Sequence, residues 1–360
     1  MQHVYAVIMA GGRGERFWPL STAGHPKQFL DLIGGKPLIQ MAVDRLAGLL
    51  PPERVLIVTS ADLVAATRAA VPQLPVSNIV GEPVARDTAA ACALASAWVA
   101  AHDPQGCVII LTADQIMEDL DVYRSTLRES AAIAQAGAVM VTIGIRPAFA
   151  STGFGYIEAG GRWPHGGQVE FFKALRFVEK PDRATAEGYV DCGRFYWNAG
   201  MFVWAVSTLR AALGRFRPPL AGMFDRLLPA IRSGAFAAQL AAEYADLEKI
   251  SIDYAVMEKA DNIVMAKGVF RWDDVGTWPA LMNHLPADPA GNVVLGACEA
   301  LESSGNVVVS RGRLTALLGV KDLVVVHAEN ATLICPRDRA QDIKKIVQAL
   351  GARGIYQDLL

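Results

Sequence analysis

A short apolar run that ends in a glycine cluster constrains the fold more than any other feature of the chain. Residues 4–9 are apolar, and Gly11, Gly12 and Gly14 follow almost at once. This pattern predicts a buried strand that runs into an abrupt turn. Because glycine has no Cβ and can take positive φ, such a turn can point consecutive backbone N–H groups at one anion.

Cationic side chains in and after this turn favour an anionic ligand. Arg13, Arg16 and Lys27 accompany the glycines, so we interpret the turn as a polyphosphate site. The spacing fits neither common nucleotide loop, because Phe17 stands where a dinucleotide fingerprint needs glycine and no Gly-Lys-Ser/Thr follows at the Walker spacing. A strand-to-helix turn that binds nothing has a similar composition, so the turn alone leaves both readings open.

Strand-like and helix-like segments alternate regularly through the first 145 residues. This alternation predicts an α/β fold with a Rossmann-like, mixed, mainly parallel sheet and helices on both faces. Asp87 and Thr88 are predicted to cap an alanine-rich helix. The predicted strands are 4–9, 55–58, 79–80, 108–111 and 139–143, and the predicted helices are 37–50, 63–71, 89–101 and 122–135.

Three polar segments each follow directly after a predicted strand. They are the glycine turn, residues 82–88 and Asp114. Ligands of open parallel sheets bind beyond the carboxyl ends of the strands. The sequence therefore predicts that these three segments share one ligand-binding edge.

Residues 151–202 are rich in glycine and aromatic residues and predict further strands, at 153–157, 174–178 and 196–202. Together with Glu179, Lys180 and Asn198 they suit the binding of a sugar phosphate. A core hairpin with a solvated Glu-Lys pair is the alternative.

The next segments carry less chemistry until an acidic turn. Residues 205–247 are helical in pattern, Ser251 is predicted to cap a helix at 252–260, and residues 262–266 are strand-like. Asp273 and Asp274 then lie in a turn between two tryptophans. Such a turn can hold a metal ion, although acidic turns also occur without one.

The C-terminal region repeats short apolar runs separated by turn residues. Residues 291–334 predict a β-solenoid fragment or a small sandwich, covered by the amphipathic helix at 338–350 or by a second subunit. We predict two domains, a nucleotide-binding domain at 1–285 and a small β-solenoid-like domain with a terminal helix at 286–360.

Composition excludes several classes of partner. A chain of 360 residues with 52% hydrophobic and 19% charged residues is typical of a globular protein, and its net charge of −2 gives no broad basic field for nucleic acid or an acidic membrane. The five scattered cysteines suggest neither a disulfide framework nor a zinc site, which favours the cytoplasm. The longest weakly polar stretch, 89–101, is too short to cross a membrane.

The sequence resembles the nucleotide-sugar pyrophosphorylase family, and most closely its members that act on GTP and mannose 1-phosphate. The resemblance rests on motifs in the family's order: GGRGERFWPLS with PKQFL, GEPVARDTAAA, TADQ, GFGYI, FVEKP, WNAGMF, SIDYAVMEK and WDDVGTW. It implies a nucleotidyltransferase that transfers GMP to mannose 1-phosphate, releases pyrophosphate and forms GDP-mannose with the help of Mg²⁺.

The resemblance also implies roles for individual residues. Gly11, Gly12 and Gly14 would contact the nucleotide, Arg16 and Lys27 the leaving pyrophosphate, and Glu82, Arg86 and Thr88 the base and ribose. Asp114 and Asp274 would hold Mg²⁺. Glu179 and Asn198 would contact the hexose, Lys180 its phosphate, and Gly155 would allow the sugar to approach. The groups expected to carry the chemistry are Arg16, Lys27, Asp114, Lys180 and Asp274.

Two alternative functions remain at this stage. One is a nucleotidyltransferase for another pair of nucleotide and hexose 1-phosphate. The other is a non-catalytic subunit that senses nucleotide-sugars, which would be expected to lose Lys27, Asp114, Lys180 or Asp274, yet all four are present. We further expect a homodimer formed through the C-terminal domain, and a single activity, because the chain leaves no room for the isomerase domain of longer relatives.

Overall fold

The computed structural model describes residues 1–354 and 356–360, and its contacts group these into two compact units. The first unit comprises Met1–Gly11, Val43–Thr112 and Met117–Trp272, and the second comprises Gly12–Ala42, Ala113–Ile116 and Asp273–Leu360. Most of the glycine turn and the segment with Asp114 therefore belong to the same unit as the C-terminal strands. The domain boundary at 285/286 stays a prediction.

The first unit is built on a nine-stranded mixed sheet, which confirms the predicted fold class. Its order is β3-β2-β1-β4-β9-β6-β10-β8-β7. Strands β1 to β4 are mutually parallel, as are β6 and β10, whereas β9 and β8 run antiparallel to their neighbours. The strands are β1 (Val4–Ala10), β2 (Val55–Ser60), β3 (Ile79–Glu82), β4 (Cys107–Thr112), β6 (Met140–Ile145), β7 (Tyr156–Trp163), β8 (Phe171–Val178), β9 (Phe195–Ala205) and β10 (Ile263–Gly268). Two dipeptide strands, β5 (Ile116–Met117) and β11 (Trp272–Asp273), lie where the chain passes between the units.

Strand β9 occupies the centre of this sheet, between β4 and β6. Val203 lies opposite Ile109 on one side and Val141 on the other. Most residues of β9 are buried irrespective of which face they point to, as expected for a strand that is covered on both sides. This position carries Asn198 into the middle of the unit, in register with Gly144.

Helices cover the sheet of the first unit. Residues 89–100 of α3 are all buried, as the alanine-rich sequence predicts, and large side chains of α6 to α8 share their core. None of the helices in the described part of the chain is both long and apolar enough to span a membrane. The helices are α1 (Leu38–Asp44), α2 (Val64–Ala70), α3 (Asp87–His102), α4 (Leu120–Ala136), α5 (Arg183–Cys192), α6 (Val206–Phe216), α7 (Pro218–Ser233) and α8 (Phe236–Ala245), with α9 (Ile343–Arg353) in the second unit.

The predicted helix at 37–50 is too long. It ends at Asp44, and the chain continues as turns in which Leu46 N donates to Val43 O at 3.0 Å. Gly48 then takes φ +80°, a value that a continuing α-helix does not allow.

Two predicted helix starts also differ in the structure. Neither Asp87 nor Thr88 caps α3: Asp87 has φ +67°, and the Thr88 hydroxyl accepts a hydrogen bond from Ile252 N at 2.9 Å. The predicted helix at 252–260 is a single π-helical segment, Asp253–Met257. Its start does involve Ser251, whose hydroxyl accepts from Tyr254 N at 3.4 Å.

The C-terminal strands of the second unit stack as the solenoid-like pattern predicts. Strands β12 (Val293–Leu301), β13 (Val307–Leu318) and β14 (Leu323–His327) are parallel neighbours, and β15 (Thr332–Pro336) pairs antiparallel with β14. The valines on one face of these strands form a core with Phe17, Trp278 and Ile343, and those on the other face, Val308 and Val325, form a separate small cluster. Ile343 begins α9, so the terminal helix covers part of this core, as predicted.

Buried asparagines join the turns of this stack. Asn306 donates from Nδ2 to Asn292 Oδ1 at 2.8 Å, and its Oδ1 accepts from Leu323 N at 2.9 Å. Asn292 in turn donates to Ser303 O at 3.0 Å. Because the side chains satisfy backbone groups of successive turns, they fix the register of the strands.

We expect Asn306→Ala to destabilise the protein by about 2 kcal/mol, because Leu323 N loses its acceptor and Asn292 Oδ1 keeps only the backbone N–H of residue 306. Urea unfolding followed by tryptophan fluorescence measures the loss. Asn330→Ala is the matched control, since Asn330 is exposed. Equal stability of the two variants would contradict a structural role for the asparagine ladder.

Candidate active site

The glycine turn brings backbone and Lys27 into close contact within the second unit. Gly14 has φ +65°, and a Cβ placed on it would lie 2.3 Å from Lys27 Cβ. A short 3-10 turn, Glu15–Phe17, follows, and Ser21 Oγ donates to Arg13 O at 2.7 Å. Gly14 therefore permits both the left-handed conformation and the close approach of Lys27.

Lys27 contacts several segments of this part of the site. Its side chain is only 6% exposed, and Nζ donates to Asp114 Oδ2 and to the backbone oxygen of Asp274, both at 2.9 Å. The ammonium group also lies 5.4 Å from the centre of the Phe17 ring. A buried ammonium needs such partners, because desolvation without them would be costly.

The two aspartates of the acidic turn have different tasks. Asp273 accepts from Val275 N at 2.7 Å, and its Oδ2 lies 2.9 Å from both Asn283 Nδ2 and His284 Nε2. Although burial raises the pKa of Asp273, these hydrogen bonds lower it overall. Burial raises the pKa of Asp274, and the Asp114 carboxylate adds to the rise while Lys27 opposes it. Asp273 thus anchors the turn, whereas the surroundings of Asp274 disfavour its ionised form.

A cavity of about 320 Å³ lies over these groups. Its charged lining residues are Arg13, Arg16, Lys27 and Lys344 on the cationic side and Glu15, Asp114 and Asp274 on the anionic side. No group of three or more His, Cys, Asp or Glu side chains among the described residues is placed to hold a metal ion. The pair Asp114 and Asp274 still fits Mg²⁺, which uses one or two carboxylates and completes its octahedron with water and phosphate oxygens.

The predicted base-binding residues lie in the first unit, at the end of β3. Glu82 accepts from the Tyr244 hydroxyl at 3.0 Å, and a Cβ on Gly11 would lie 3.8 Å from its other oxygen. Burial raises the pKa of Glu82 to about 7. Arg86 Nε donates to Tyr244 O at 2.9 Å, and Arg86 Nη2 to Ala245 O. Arg86 and, as noted above, Thr88 therefore hold neighbouring backbone segments in place.

The predicted sugar-side residues also converge in the first unit. A Cβ on Gly155 would lie 2.3 Å from Glu179 Oε2 and 3.4 Å from Asn198 Cβ, so a side chain there would displace the Glu179 carboxylate. Lys180 Nζ donates to Glu179 Oε1 at 2.5 Å. Desolvation lowers the pKa of Lys180, but the carboxylates of Glu179 and Asp253 outweigh it and the pKa is raised.

Asp253 is a member of this cluster to which the sequence analysis gives no role. Asn198 Nδ2 donates to Asp253 Oδ1 at 3.2 Å, and Asn198 Oδ1 accepts from Thr142 Oγ1 at 3.1 Å. Burial and the nearby Glu179 raise the pKa of Asp253 to about 7. Its position inside the SIDYAVMEK motif is the sequence signal that points to it.

The structure thus brings the predicted site residues together in three groups, one in the second unit and two in the first. Gly14, Arg16, Lys27, Asp114 and Asp274 line the cavity of the second unit, and Gly12 is exposed in the same unit. Gly11, Glu82, Arg86 and Thr88, and the cluster of Gly155, Glu179, Lys180 and Asn198, lie in the first unit. Sequence reasoning missed Asp253 and also Lys344, which the terminal helix supplies to the cavity.

The mixed sheet, the cationic turn and the carboxylate pair all lie in a region that matches the nucleotidyl transferases. A family model described as nucleotidyl transferase matches residues 5–290, and one described as a MannoseP isomerase/GMP-like beta-helix domain matches residues 296–350. A mannose-1-phosphate guanylyltransferase from Klebsiella pneumoniae is 36% identical over 96% of this chain and 73% of its own length. The enzyme of that name from Escherichia coli K12 is 34% identical over 98% of this chain and 75% of its own length.

A solved structure supports the same assignment. The crystal structure described as mannose-1-phosphate geranyltransferase from Thermus thermophilus has a TM-score of 0.87 and 38% identity, and the match covers 97% of this chain and all of that one. This chain belongs to the mannose-1-phosphate guanylyltransferase family of nucleotidyl transferases.

We predict that stability falls as the pH rises from 5 to 8, because Asp253 takes up a proton on folding. A carboxyl with an unfolded pKa of about 4 and a folded pKa of about 7 stabilises the fold fully at low pH and loses that contribution as the pH rises through 7. Asp253→Asn should flatten the slope by up to about 1.4 kcal/mol per pH unit. Urea unfolding at four pH values measures it, with Asp246→Asn at an exposed position as control. An unchanged slope in Asp253→Asn would show that Asp253 is ionised in the folded protein.

Proposed function

We propose that this protein transfers GMP from GTP to α-D-mannose 1-phosphate, forming GDP-mannose and releasing pyrophosphate. The observation that carries the proposal is Lys27, held between Asp114 and the acidic turn on the floor of a cavity lined by further cations. The names of the relatives supply the substrates.

The reaction requires an oxygen of the sugar phosphate to attack the α-phosphorus of GTP in line with the departing pyrophosphate. That oxygen is already ionised at neutral pH, so no side chain has to act as nucleophile or general base. The task of the protein is to position two polyanions and to reduce their repulsion. We assign the pyrophosphate to Arg16 and Lys27, and the phosphate of the sugar to Lys180.

Base and hexose would be held by the groups of the first unit. The carboxylates of Glu82 and Glu179 and the amide of Asn198 offer hydrogen-bond acceptors and donors to hydroxyl and base groups. Asp253 fixes the Asn198 amide through its Nδ2 group, which leaves the orientation of that amide defined before a ligand binds. Gly155 keeps the place beside Glu179 and Asn198 free of a side chain.

We further propose Mg²⁺ as the cofactor, with Asp114 and Asp274 as its ligands. When bound, the ion would neutralise phosphate charge as the pyrophosphate leaves. Asp274 fits this role because burial and the neighbouring Asp114 disfavour its ionised form, so a cation beside both carboxylates would relieve an existing repulsion.

The decisive experiment is pyrophosphate release by the purified chain with Mg²⁺. GTP, ATP, UTP and dTTP are each combined with mannose 1-phosphate and glucose 1-phosphate. We expect release only with GTP and mannose 1-phosphate. Release with another pair would support the reaction type but contradict the proposed substrates. No release with any of the eight pairs would favour a non-catalytic nucleotide-sugar sensor.

Asp274→Asn tests the proposed metal site. We expect turnover to fall by about two orders of magnitude while GTP still binds, because the variant loses a charged oxygen ligand but none of the groups that would hold the base. Asp246→Asn, far from the turn in sequence and exposed, should leave turnover unchanged. Equal turnover of Asp274→Asn and the wild type would remove Asp274 from the metal site.

We also propose a cytoplasmic homodimer that forms through the C-terminal strands. Leu301, Leu314, Leu318 and Ile334 of these strands are each 61–70% exposed, so their apolar side chains are available to a second subunit. Light scattering should give twice the chain mass, and Leu318→Glu should shift the protein toward the monomer. A monomer mass for the wild type at micromolar concentration would refute the dimer.

A further inference from the structure

Lys344 stands out among the residues that line the phosphate cavity. It comes from α9, far along the chain from the glycine turn, the Asp114 segment and the acidic turn. It is exposed, and its side chain makes neither a hydrogen bond nor an ion pair with any residue that the structure describes. The next residue, Lys345, is also exposed but pairs with Asp342 at 2.7 Å.

The start of α9 is firmly held beside the glycine turn. Ile343 is 1% exposed and belongs to the same apolar core as Phe17, which follows the turn directly. The end of the chain is fixed to the same segment, because Trp18 Nε1 donates to Leu359 O at 2.9 Å and Ala23 N to Leu360 O at 3.0 Å. Lys344 therefore has a defined backbone position at the cavity.

The charges of the cavity are not balanced in pairs. Lys27 forms an ion pair with Asp114. The side chains of Arg13, Arg16 and Lys344, in contrast, have no polar partner within the described part of the chain. Glu15 and Asp274 also line the cavity. Unpaired cations gathered at one cavity repel one another, and a polyanion that contacts several of them removes that repulsion.

We propose that Lys344 is a phosphate-binding residue that contacts the pyrophosphate portion of the nucleotide, so that the C-terminal helix completes the phosphate site. The inference rests on the proposed function, which assigns the pyrophosphate to Arg16 and Lys27 of the same cavity. GDP-mannose lacks the two terminal phosphates of GTP. Loss of Lys344 should therefore weaken the binding of pyrophosphate and leave that of GDP-mannose unchanged.

The reverse reaction allows the affinities for pyrophosphate and for GDP-mannose to be measured separately. GTP formation from GDP-mannose and pyrophosphate is measured with Mg²⁺ for the wild type, Lys344→Gln, Lys344→Arg and the control Lys345→Gln. In Lys344→Gln we expect the KM for pyrophosphate to rise about tenfold, the size of one lost charge-assisted contact, with an unchanged KM for GDP-mannose. Lys344→Arg should retain most of the affinity, and Lys345→Gln should behave like the wild type.

Three outcomes would overturn the inference. One is a pyrophosphate KM in Lys344→Gln within twofold of the wild type. Another is an equal rise in Lys345→Gln, which would indicate a general field of the helix and no specific contact. The third is a parallel loss for both substrates, which would indicate a structural role.

Direct binding keeps this test separate from that of the proposed function. If the wild type catalyses no reaction, the proposed function fails, and calorimetric titration of the protein with inorganic pyrophosphate and Mg²⁺ then decides the role of Lys344. Tenfold weaker binding by Lys344→Gln than by the wild type and Lys345→Gln supports the contact. Equal affinities refute it.

Discussion

The hydrogen-bonded ammonium group of Lys27 is the interaction on which the proposed phosphate site depends. It joins the Asp114 carboxylate and the Asp274 carbonyl to the glycine turn, three segments that are remote in sequence. Burying one charge requires that its partners be fixed, so the site is ordered before any ligand arrives. Gly14 also keeps Lys27 in place, because a Cβ at position 14 would displace the lysine.

The first unit contains two buried acids whose pKa values are raised. Glu82 and Asp253 both have a pKa of about 7, mainly because burial disfavours their charged forms. Each is fixed by a hydrogen bond from a neighbouring side chain, Tyr244 and Asn198 respectively. Buried acids of this kind lower the stability of the folded protein at neutral pH. Such a cost is typical of groups that orient ligands or the residues that bind them.

Local patterns predicted the parts of the fold that depend on neighbouring residues. The first strand, the glycine turn, the buried alanine-rich helix and the stacked C-terminal strands follow from apolar periodicity and turn residues, and the structure confirms them. Helix ends were less predictable: α1 ends at Asp44 and not at residue 50, and the Thr88 hydroxyl accepts from Ile252 N and does not cap its own helix. The central place of β9 was not visible in the sequence either, because an apolar strand can pair with any free edge.

The sequence by itself determined the class of protein, because the order of its motifs and the residue types within them can be recognised without knowing the fold. It also gave the candidate residues Lys27, Asp114 and Asp274. Only the tertiary structure decided which aspartate of the acidic turn anchors it and which lines the cavity, that Asp253 bonds to Asn198, and that Lys344 lines the same cavity as Lys27. These assignments depend on burial and on contacts between residues tens to hundreds of positions apart, and packing of the complete chain creates both.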